Sequence, residues 1–117
     1  MPRQHPGEPY YRVDSTEANT MLKDSSTEAV VIDVRREDEW ITGHVRGAIH
    51  IPIDDLLDRL GELPDQKVLL FICAAGVRSG LACEFAASAG IPSNLLYNIE
   101  DGTPDWIANN YPTDIGN

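Results

Sequence analysis

The stretch Val68-Leu-Leu-Phe-Ile-Cys-Ala-Ala-Gly-Val-Arg-Ser79 decides the fold. Its first five residues are apolar and predict a buried strand, and the following stretch, Gly80 to Ala89, predicts a helix that ends at Gly90. Cys73 therefore lies in a short loop between the carboxyl end of a strand and the amino terminus of a helix. The unpaired N–H groups at that terminus stabilise an anion, and they lower the pKa of a thiol placed there. We interpret Cys73 as a nucleophile, against the alternative that it is a small buried filler.

The loop that follows Cys73 is suited to holding an anion. Small residues at its start let the backbone curl so that several N–H groups face inward. Arg78 has two candidate roles that do not exclude each other: it places a cation near bound sulfur or substrate, or it clamps the loop or neighbouring carboxylates with its planar fork. Ser79 either caps the helix, the role we favour, or turns its hydroxyl toward the sulfur. The predicted substrate-binding or persulfide-binding residues are Ala74, Ala75, Gly76, Val77, Arg78 and Ser79.

Three separated blocks of sequence resemble those of a single-domain rhodanese, a sulfurtransferase module. The first is Val31-Ile-Asp-Val-Arg35 with Glu39-Trp40 and Gly43-His-Val-Arg-Gly-Ala-Ile-His-Ile-Pro52. The second is the loop from Cys73 to Ser79, and the third is Asp101-Gly-Thr-Pro-Asp-Trp106, with Asp101 where the family has a glycine. The resemblance covers the chain from about Tyr10 to Trp106. Asp101 would strain its turn if that position requires a positive φ.

Short apolar strands that alternate with helical stretches indicate an α/β domain with a largely parallel sheet. The resemblance implies a rhodanese-like fold, with a five-stranded, mainly parallel sheet in the order 1-5-4-2-3 and helices on both faces. Residues 1–9 contain three prolines and a glycine, and we predict that they form a flexible lead-in to a domain at 10–117. Predicted strands lie at 10–13, 29–34, 48–51, 68–72 and 95–99. Predicted helices lie at 14–22, 36–41, 54–60, 80–89 and from 103 onward.

The resemblance also implies a reaction. Cys73 would take a sulfane sulfur from thiosulfate or a persulfide, and a nucleophile such as cyanide or a thiol would remove it. Related phosphatases use a C-x5-R loop, whereas Cys73 to Arg78 is C-x4-R, the sulfurtransferase length. The loop side chains between them are uncharged, which weakens the case for thiosulfate and leaves a persulfide donor open. Two alternatives remain: a persulfide carrier with little thiosulfate turnover, and a non-catalytic interaction domain.

Other chemistry-bearing residues receive supporting roles. Asp33 and Arg35 stand at a strand end, where the resemblance implies a salt bridge near the site, and Arg35 is the better candidate for a direct role. We interpret His44 as a hydrogen-bonded packing residue. Cys83 is interpreted as buried packing, with a resolving thiol that pairs with Cys73 as the alternative. The three histidines and two cysteines lack metal-ligand spacing, so we predict neither metal nor cofactor.

The composition limits the kinds of partner that we expect this chain to bind. A formal net charge of −10 argues against nucleic acid and anionic membranes. The expected partners are a small sulfur donor and a thiol or cyanide acceptor, with a protein donor or acceptor as an open alternative. Two cysteines are too few for a disulfide scaffold, and we expect neither a signal peptide nor a membrane-spanning run. A reducing cytoplasm suits a protein with a free thiol, so we expect a cytoplasmic protein.

Overall fold

The computed structural model describes residues 2–117, so Met1, the first residue of the predicted lead-in, lies outside the described residues. Short 3-10 turns at Leu57–Glu62 and Ser93–Leu95 accompany the helices and strands. In chain order these are β1 (Tyr11–Val13), α1 (Ser15–Lys23), β2 (Ala29–Asp33), α2 (Glu37–Trp40), β3 (His44–Val45), β4 (Ile49–His50), α3 (Ile53–Leu56), β5 (Val68–Ile72), α4 (Val77–Ser88), β6 (Leu96–Ile99), α5 (Gly102–Ala108) and β7 (Thr113–Asp114).

Five strands form one parallel sheet in the order β1-β6-β5-β2-β4. Counted among themselves in chain order, these strands are arranged 1-5-4-2-3, which confirms the predicted order. The central strand is β5, where Ile72 lies opposite Asp33 of β2 and Ile99 of β6. Cys73 therefore follows the middle strand at the edge of the sheet where all the carboxyl ends meet. Ligand sites of open α/β sheets lie at this edge.

The sheet is covered by helices on both faces, as predicted. Leu69 and Phe71 of β5 pack on one side with residues of α3 and α4, whereas Leu70 and Ile72 pack on the other side with residues of α1 and α5. All four of these side chains are buried. A strand buried on both faces needs no polar alternation, which explains the unbroken apolar run in the sequence.

The start of α1 has a capping box. The Asp14 carboxylate accepts a hydrogen bond from the Glu17 N–H at 2.7 Å, and the Glu17 carboxylate accepts one from the Asp14 N–H at 2.9 Å. These two bonds satisfy N–H groups that the first turn of a helix leaves unpaired. The helix therefore starts where the sequence predicts.

Apart from differences of one residue at the ends of α1 and α2, three helices differ from their predicted bounds. The helix α4 begins at Val77 rather than at Gly80, so the last residues of the predicted loop belong to its first turn. Only Ile53–Leu56 is α-helical in the region predicted as 54–60, and the chain continues in a 3-10 turn that includes Gly61. The helix α5 begins at Gly102, one residue before its predicted start.

A second, two-stranded sheet pairs β3 with β7 in antiparallel fashion. This sheet was not predicted from the sequence, because strands of two residues are too short to show an alternating pattern. Within residues 2–117, no helix has the length and hydropathy needed to span a bilayer.

The segment before β1 is hydrogen-bonded to β1 and to the residues beyond it, and Arg12 of β1 donates to the Glu8 carboxylate at 2.9 and 2.6 Å. Arg3 and Arg12 exchange two backbone hydrogen bonds, of 2.8 and 2.6 Å, and the Arg3 side chain bonds Glu17 and Glu100. A single structure does not report motion, so the flexibility of the lead-in stays a prediction.

Candidate active site

The Cys73 thiol is surrounded by hydrogen-bond donors of its own loop. Its Sγ lies 3.1 Å from the Gly76 nitrogen, 3.4 Å from the Ser79 nitrogen and 3.2 Å from the Ser79 Oγ. The residue is buried, with 1% of its surface exposed. The loop therefore directs backbone N–H groups at a sulfur that bulk water hardly reaches.

These contacts change the acidity of the thiol. Burial raises the pKa of Cys73, but the hydrogen bond between the sulfur and the Ser79 hydroxyl and those from the N–H groups of Ser79, Ala75 and Gly76 oppose it. The hydrogen bonds prevail, and the pKa of Cys73 is lowered from its ordinary value. A thiolate held this way is a nucleophile at a lower pH than a free cysteine.

Two glycines let backbone approach backbone around the loop. Gly76 has a φ of +87°, and a Cβ placed on it would lie 2.5 Å from the Glu100 carbonyl oxygen. Gly102 has a φ of +77°, and its Cβ would lie 2.1 Å from the Ala74 carbonyl oxygen. Both the conformation and the space therefore require glycine at these positions.

The start of α5 holds the loop in place. Thr103 donates to the Cys73 carbonyl oxygen from its backbone nitrogen at 2.9 Å and from its hydroxyl at 3.2 Å. Asp101 has a φ of −87°, so the strain considered for it does not arise. Its carboxylate accepts hydrogen bonds from the nitrogen and hydroxyl of Ser15, at 3.1 and 2.8 Å. The third sequence block thus supports the Cys73 loop and ties it to α1.

The preferred role of Ser79 as a helix cap was wrong. Because α4 begins earlier than predicted, Gly76 is the cap and Ser79 lies within the first turn. The buried Ser79 hydroxyl contacts the sulfur and donates to the Asn98 Oδ1 at 2.5 Å.

Arg78 is bound to a carboxylate from another element. Its guanidinium donates two hydrogen bonds to Glu39 of α2, at 2.7 and 2.9 Å. Hydrogen bonding to Arg78 is the main cause that lowers the pKa of Glu39 to about 2, against the effect of burial. This geometry is that of the clamp considered in the sequence analysis, since it fastens α4 to α2.

We expect the Arg78–Glu39 pair to contribute stability that depends on pH. Because the pKa of Glu39 falls from 4.5 to about 2 on folding, this contribution is present above pH 4.5 and is lost as the pH falls toward 2. Glu39→Gln should reduce the free energy of unfolding by roughly 1–3 kcal/mol at neutral pH, the value of a partly exposed charged hydrogen bond. Urea unfolding at several pH values measures it, and the difference from the wild type should shrink in acid.

Asp38→Asn is the matched control, because Asp38 forms an exposed pair with Arg36. Such a pair is worth about 0–1 kcal/mol. Equal losses in Glu39→Gln and Asp38→Asn would contradict the clamp.

Asp33 and Arg35 form a buried pair beside the site. Arg35 donates to the Asp33 carboxylate, at 2.8 to 3.1 Å, and to the Gly43 carbonyl oxygen at 2.8 Å. The pair therefore joins the end of β2 to the turn that precedes β3.

His44 is the first residue of β3 and is buried. Its Nδ1 is 2.9 Å from the Trp40 carbonyl oxygen, and its ring stacks on Trp40 with centroids 3.5 Å apart. This environment agrees with the interpretation of a packing histidine. Trp40 itself is only partly buried, whereas Trp106 is fully buried.

The second cysteine has a different environment. Cys83 is buried in the apolar core, and burial raises its pKa well above the ordinary value. Both cysteines are free. Within residues 2–117, no three His, Cys, Asp or Glu side chains are arranged to hold a metal ion.

Sequence reasoning missed three residues that support the loop: Glu39, Asn98 and Thr103. Asn98 offered a usable signal, since it is an amide near the end of an otherwise apolar strand. Glu39 and Thr103 carried none beyond their place in the family-like blocks, because only the fold brings them to the loop.

Comparisons of the sequence and of the structure with known proteins point to the same family. The sequence model described as Rhodanese-like domain matches residues 14–109. The Bacillus subtilis protein YtwF, which carries the name of a sulfurtransferase, is 30% identical over 98 residues, covering 84% of this chain and 92% of that protein. YrkF of the same organism, which carries the name of a sulfur carrier protein, is 30% identical over 92 residues, covering 79% of this chain and 49% of YrkF.

A longer relative and a solved structure extend this comparison. The HTH-type transcriptional regulator Rv0324 of Mycobacterium tuberculosis is 32% identical over 103 residues, covering 86% of this chain and 44% of that protein. The chain thus spans less than half the length of Rv0324 and YrkF. The crystal structure of a rhodanese-related protein from Thermoplasma volcanium superposes with a TM-score of 0.76 at 30% identity, covering 89% of this chain and 97% of that one.

Proposed function

Because this chain belongs to the rhodanese-like domain family, we propose that it is a sulfurtransferase that carries a sulfane sulfur on Cys73. The observation that supports this most directly is the set of donors around the sulfur, with N–H groups of Gly76 and Ser79 at 3.1 and 3.4 Å from Sγ. The same loop amides would stabilise the negative outer sulfur of a persulfide. We further propose a cytoplasmic location, where the thiol stays reduced.

The proposed reaction has two steps. The Cys73 thiolate attacks the sulfane sulfur of the donor, a sulfur–sulfur bond forms, and the donor leaves with the electron pair of its broken bond, as a thiolate or as sulfite. An acceptor thiolate or cyanide then attacks the outer sulfur, and Cys73 leaves as a thiolate. Atoms and charge balance in each step without an outside oxidant or reductant, and such chemistry predicts ping-pong kinetics.

The charges around the loop favour a persulfide over thiosulfate as donor. Arg78 is bound to Glu39, and Arg35 is bound to Asp33, so each arginine beside the loop already faces a carboxylate. The chain also carries a net charge of −10, which repels a dianion such as thiosulfate. We therefore propose a low-molecular-weight or protein persulfide as donor and a thiol as acceptor.

Intact mass measurement tests the proposal. The protein is incubated with thiosulfate in one sample and with a low-molecular-weight persulfide in another, and then with cyanide or a dithiol. We expect a gain of one sulfur atom that is lost with the acceptor, greater with the persulfide, and absent in Cys73→Ser. No gain from either donor, or the same gain in Cys73→Ser, would overturn it.

A persulfide carrier is the second candidate, and the uncharged side chains of Ala74, Ala75 and Val77 favour it, because they offer thiosulfate no cation or hydrogen bond. The two candidates differ in turnover. A carrier would be loaded once by a persulfide donor but would raise the thiosulfate:cyanide rate little above that without protein. Steady-state kinetics under the same conditions separates them.

A further inference from the structure

Asn98 is a buried amide on β6 whose side chain contacts the Cys73 loop. Only 2% of its surface is exposed. Its Nδ2 donates to the Gly76 carbonyl oxygen at 3.0 Å, and its Oδ1 lies 2.5 Å from the Ser79 Oγ. Both ends of the amide are therefore engaged with the segment that surrounds the sulfur.

The chemistry of these partners fixes the orientation of the amide. The Gly76 carbonyl oxygen can only accept a hydrogen bond, so the NH₂ end of Asn98 must face it. The carbonyl end of Asn98 then faces Ser79, and it also can only accept. The Ser79 hydroxyl must therefore donate its hydrogen to Asn98.

This arrangement restricts what Ser79 offers to the sulfur. A hydroxyl has one hydrogen, and while Asn98 holds it, only oxygen lone pairs face the Cys73 Sγ at 3.2 Å. A protonated thiol fits that contact, because its S–H donates to the oxygen. Once the thiol proton has left to solvent, the sulfur becomes an acceptor, and it competes with Asn98 for the hydroxyl hydrogen.

We propose that Asn98 is a positioning residue that directs the Ser79 hydroxyl away from the thiol and releases it to the thiolate. The hydroxyl turns from the Asn98 Oδ1 to the Cys73 Sγ when the sulfur becomes charged. Asn98 thereby opposes ionisation of Cys73, while the loop N–H groups favour it. This inference rests on the proposed role of Cys73 as the reacting thiol, but it concerns ionisation of the thiol rather than transfer of sulfur.

Charged groups on the elements packed around the Cys73 loop are left intact by substitution of Asn98. They come from β2 and its end, from α2, from α4 and from the turn between β6 and α5. These groups are Asp33, Arg35, Glu39, Arg78, Glu100 and Asp101.

The test is the pH dependence of Cys73 alkylation by iodoacetamide, followed by peptide mass so that Cys83 does not contribute. Asn98→Ala frees the Ser79 hydroxyl for the sulfur, so the pH midpoint of alkylation should fall. At a pH below the midpoint, the fraction of Cys73 present as thiolate should rise about threefold to tenfold, as for one neutral hydrogen bond. Asn98→Asp should raise the midpoint, because a carboxylate holds the hydrogen more strongly and adds a negative charge. A role in loop structure alone would move both variants in the same direction.

Ser79→Ala shows whether the effect passes through the hydroxyl. When Asn98→Ala is added to Ser79→Ala, the alkylation midpoint should not shift further. Thr103→Val is the control, because it removes a hydrogen bond to the Cys73 carbonyl oxygen and leaves Ser79 unchanged. The shift of the alkylation midpoint that it causes should be the same whether residue 79 carries its hydroxyl or not.

Two outcomes would overturn the inference: a midpoint raised by Asn98→Ala, or an equal shift from Asn98→Ala in both backgrounds. If Asn98→Ala does not fold, Asn98→Asp decides, since a midpoint that is not raised would overturn it as well. Alkylation requires no sulfur donor. The predicted shifts without any persulfide on Cys73 would therefore reject the proposed function and leave this inference standing.

Discussion

Cys73→Ser is expected to fold normally and to lose sulfur transfer by about 10³-fold or more, as when a covalent nucleophile is removed. The serine hydroxyl fits the same space and accepts the same N–H groups, but it does not ionise in the range where the thiolate forms. The loss should therefore appear in catalysis and not in the free energy of unfolding. Steady-state sulfur transfer and urea unfolding on the same preparation measure the two quantities.

Cys83→Ser is the matched control, because it makes the same chemical change in the same helix-and-loop unit. Cys83 is fully buried in apolar surroundings, so a hydroxyl there should cost stability while activity per folded molecule stays near that of the wild type. An inactive Cys83→Ser together with an active Cys73→Ser would contradict the assignment of the nucleophile.

Gly102→Ala is expected to cause the largest loss of stability of the substitutions considered, about 4 kcal/mol or more. The added Cβ would lie 2.1 Å from the Ala74 carbonyl oxygen and 2.8 Å from the Cys73 carbonyl oxygen, and rigid backbone cannot yield as a side chain would. Since a domain of this size is stable by about 5–15 kcal/mol, the variant should be marginal or unfolded. Urea unfolding and circular dichroism measure the effect.

Gly47→Ala separates the conformational cost from the steric one. Gly47 has a similar φ of +81°, but nothing lies within 4 Å of an added Cβ. The free energy of unfolding of Gly47→Ala should fall by about 1–2 kcal/mol, which is the cost of a left-handed conformation alone. If Gly102→Ala lost no more than Gly47→Ala, the close contact between α5 and the Cys73 loop would not exist in solution.

The sequence predicted the sheet well because its strands are short, apolar and separated by clear helix signals. Val68–Ile72 is buried on both faces, and its continuous apolar run is what such burial requires. The strand order came from the family-like blocks, since no periodicity specifies which strands are neighbours. Two-residue strands such as β3 and β7 lack any pattern that a sequence could display.

Only the part of the site that is local in sequence could be predicted. Cys73 and its N–H donors follow from local order along the chain, since a strand, a tight loop and a helix determine where the thiol lies. Partners from distant segments do not follow from local order. Glu39, Asn98 and Thr103 bond Arg78, Gly76 and Cys73 across 39, 22 and 30 positions of sequence, respectively, and only the tertiary fold brings them together.

The wide separation of these partners has a consequence for folding kinetics. The first strand of the sheet pairs with the last, Tyr11 opposite Tyr97, and the Cys73 carbonyl meets α5. Contacts of such high sequence separation form slowly, because the intervening chain must first lose its entropy. A nascent or partly folded chain thus lacks the hydrogen bonds by which Thr103 holds the Cys73 loop. The complete site therefore marks completion of the whole chain rather than formation of its local helix.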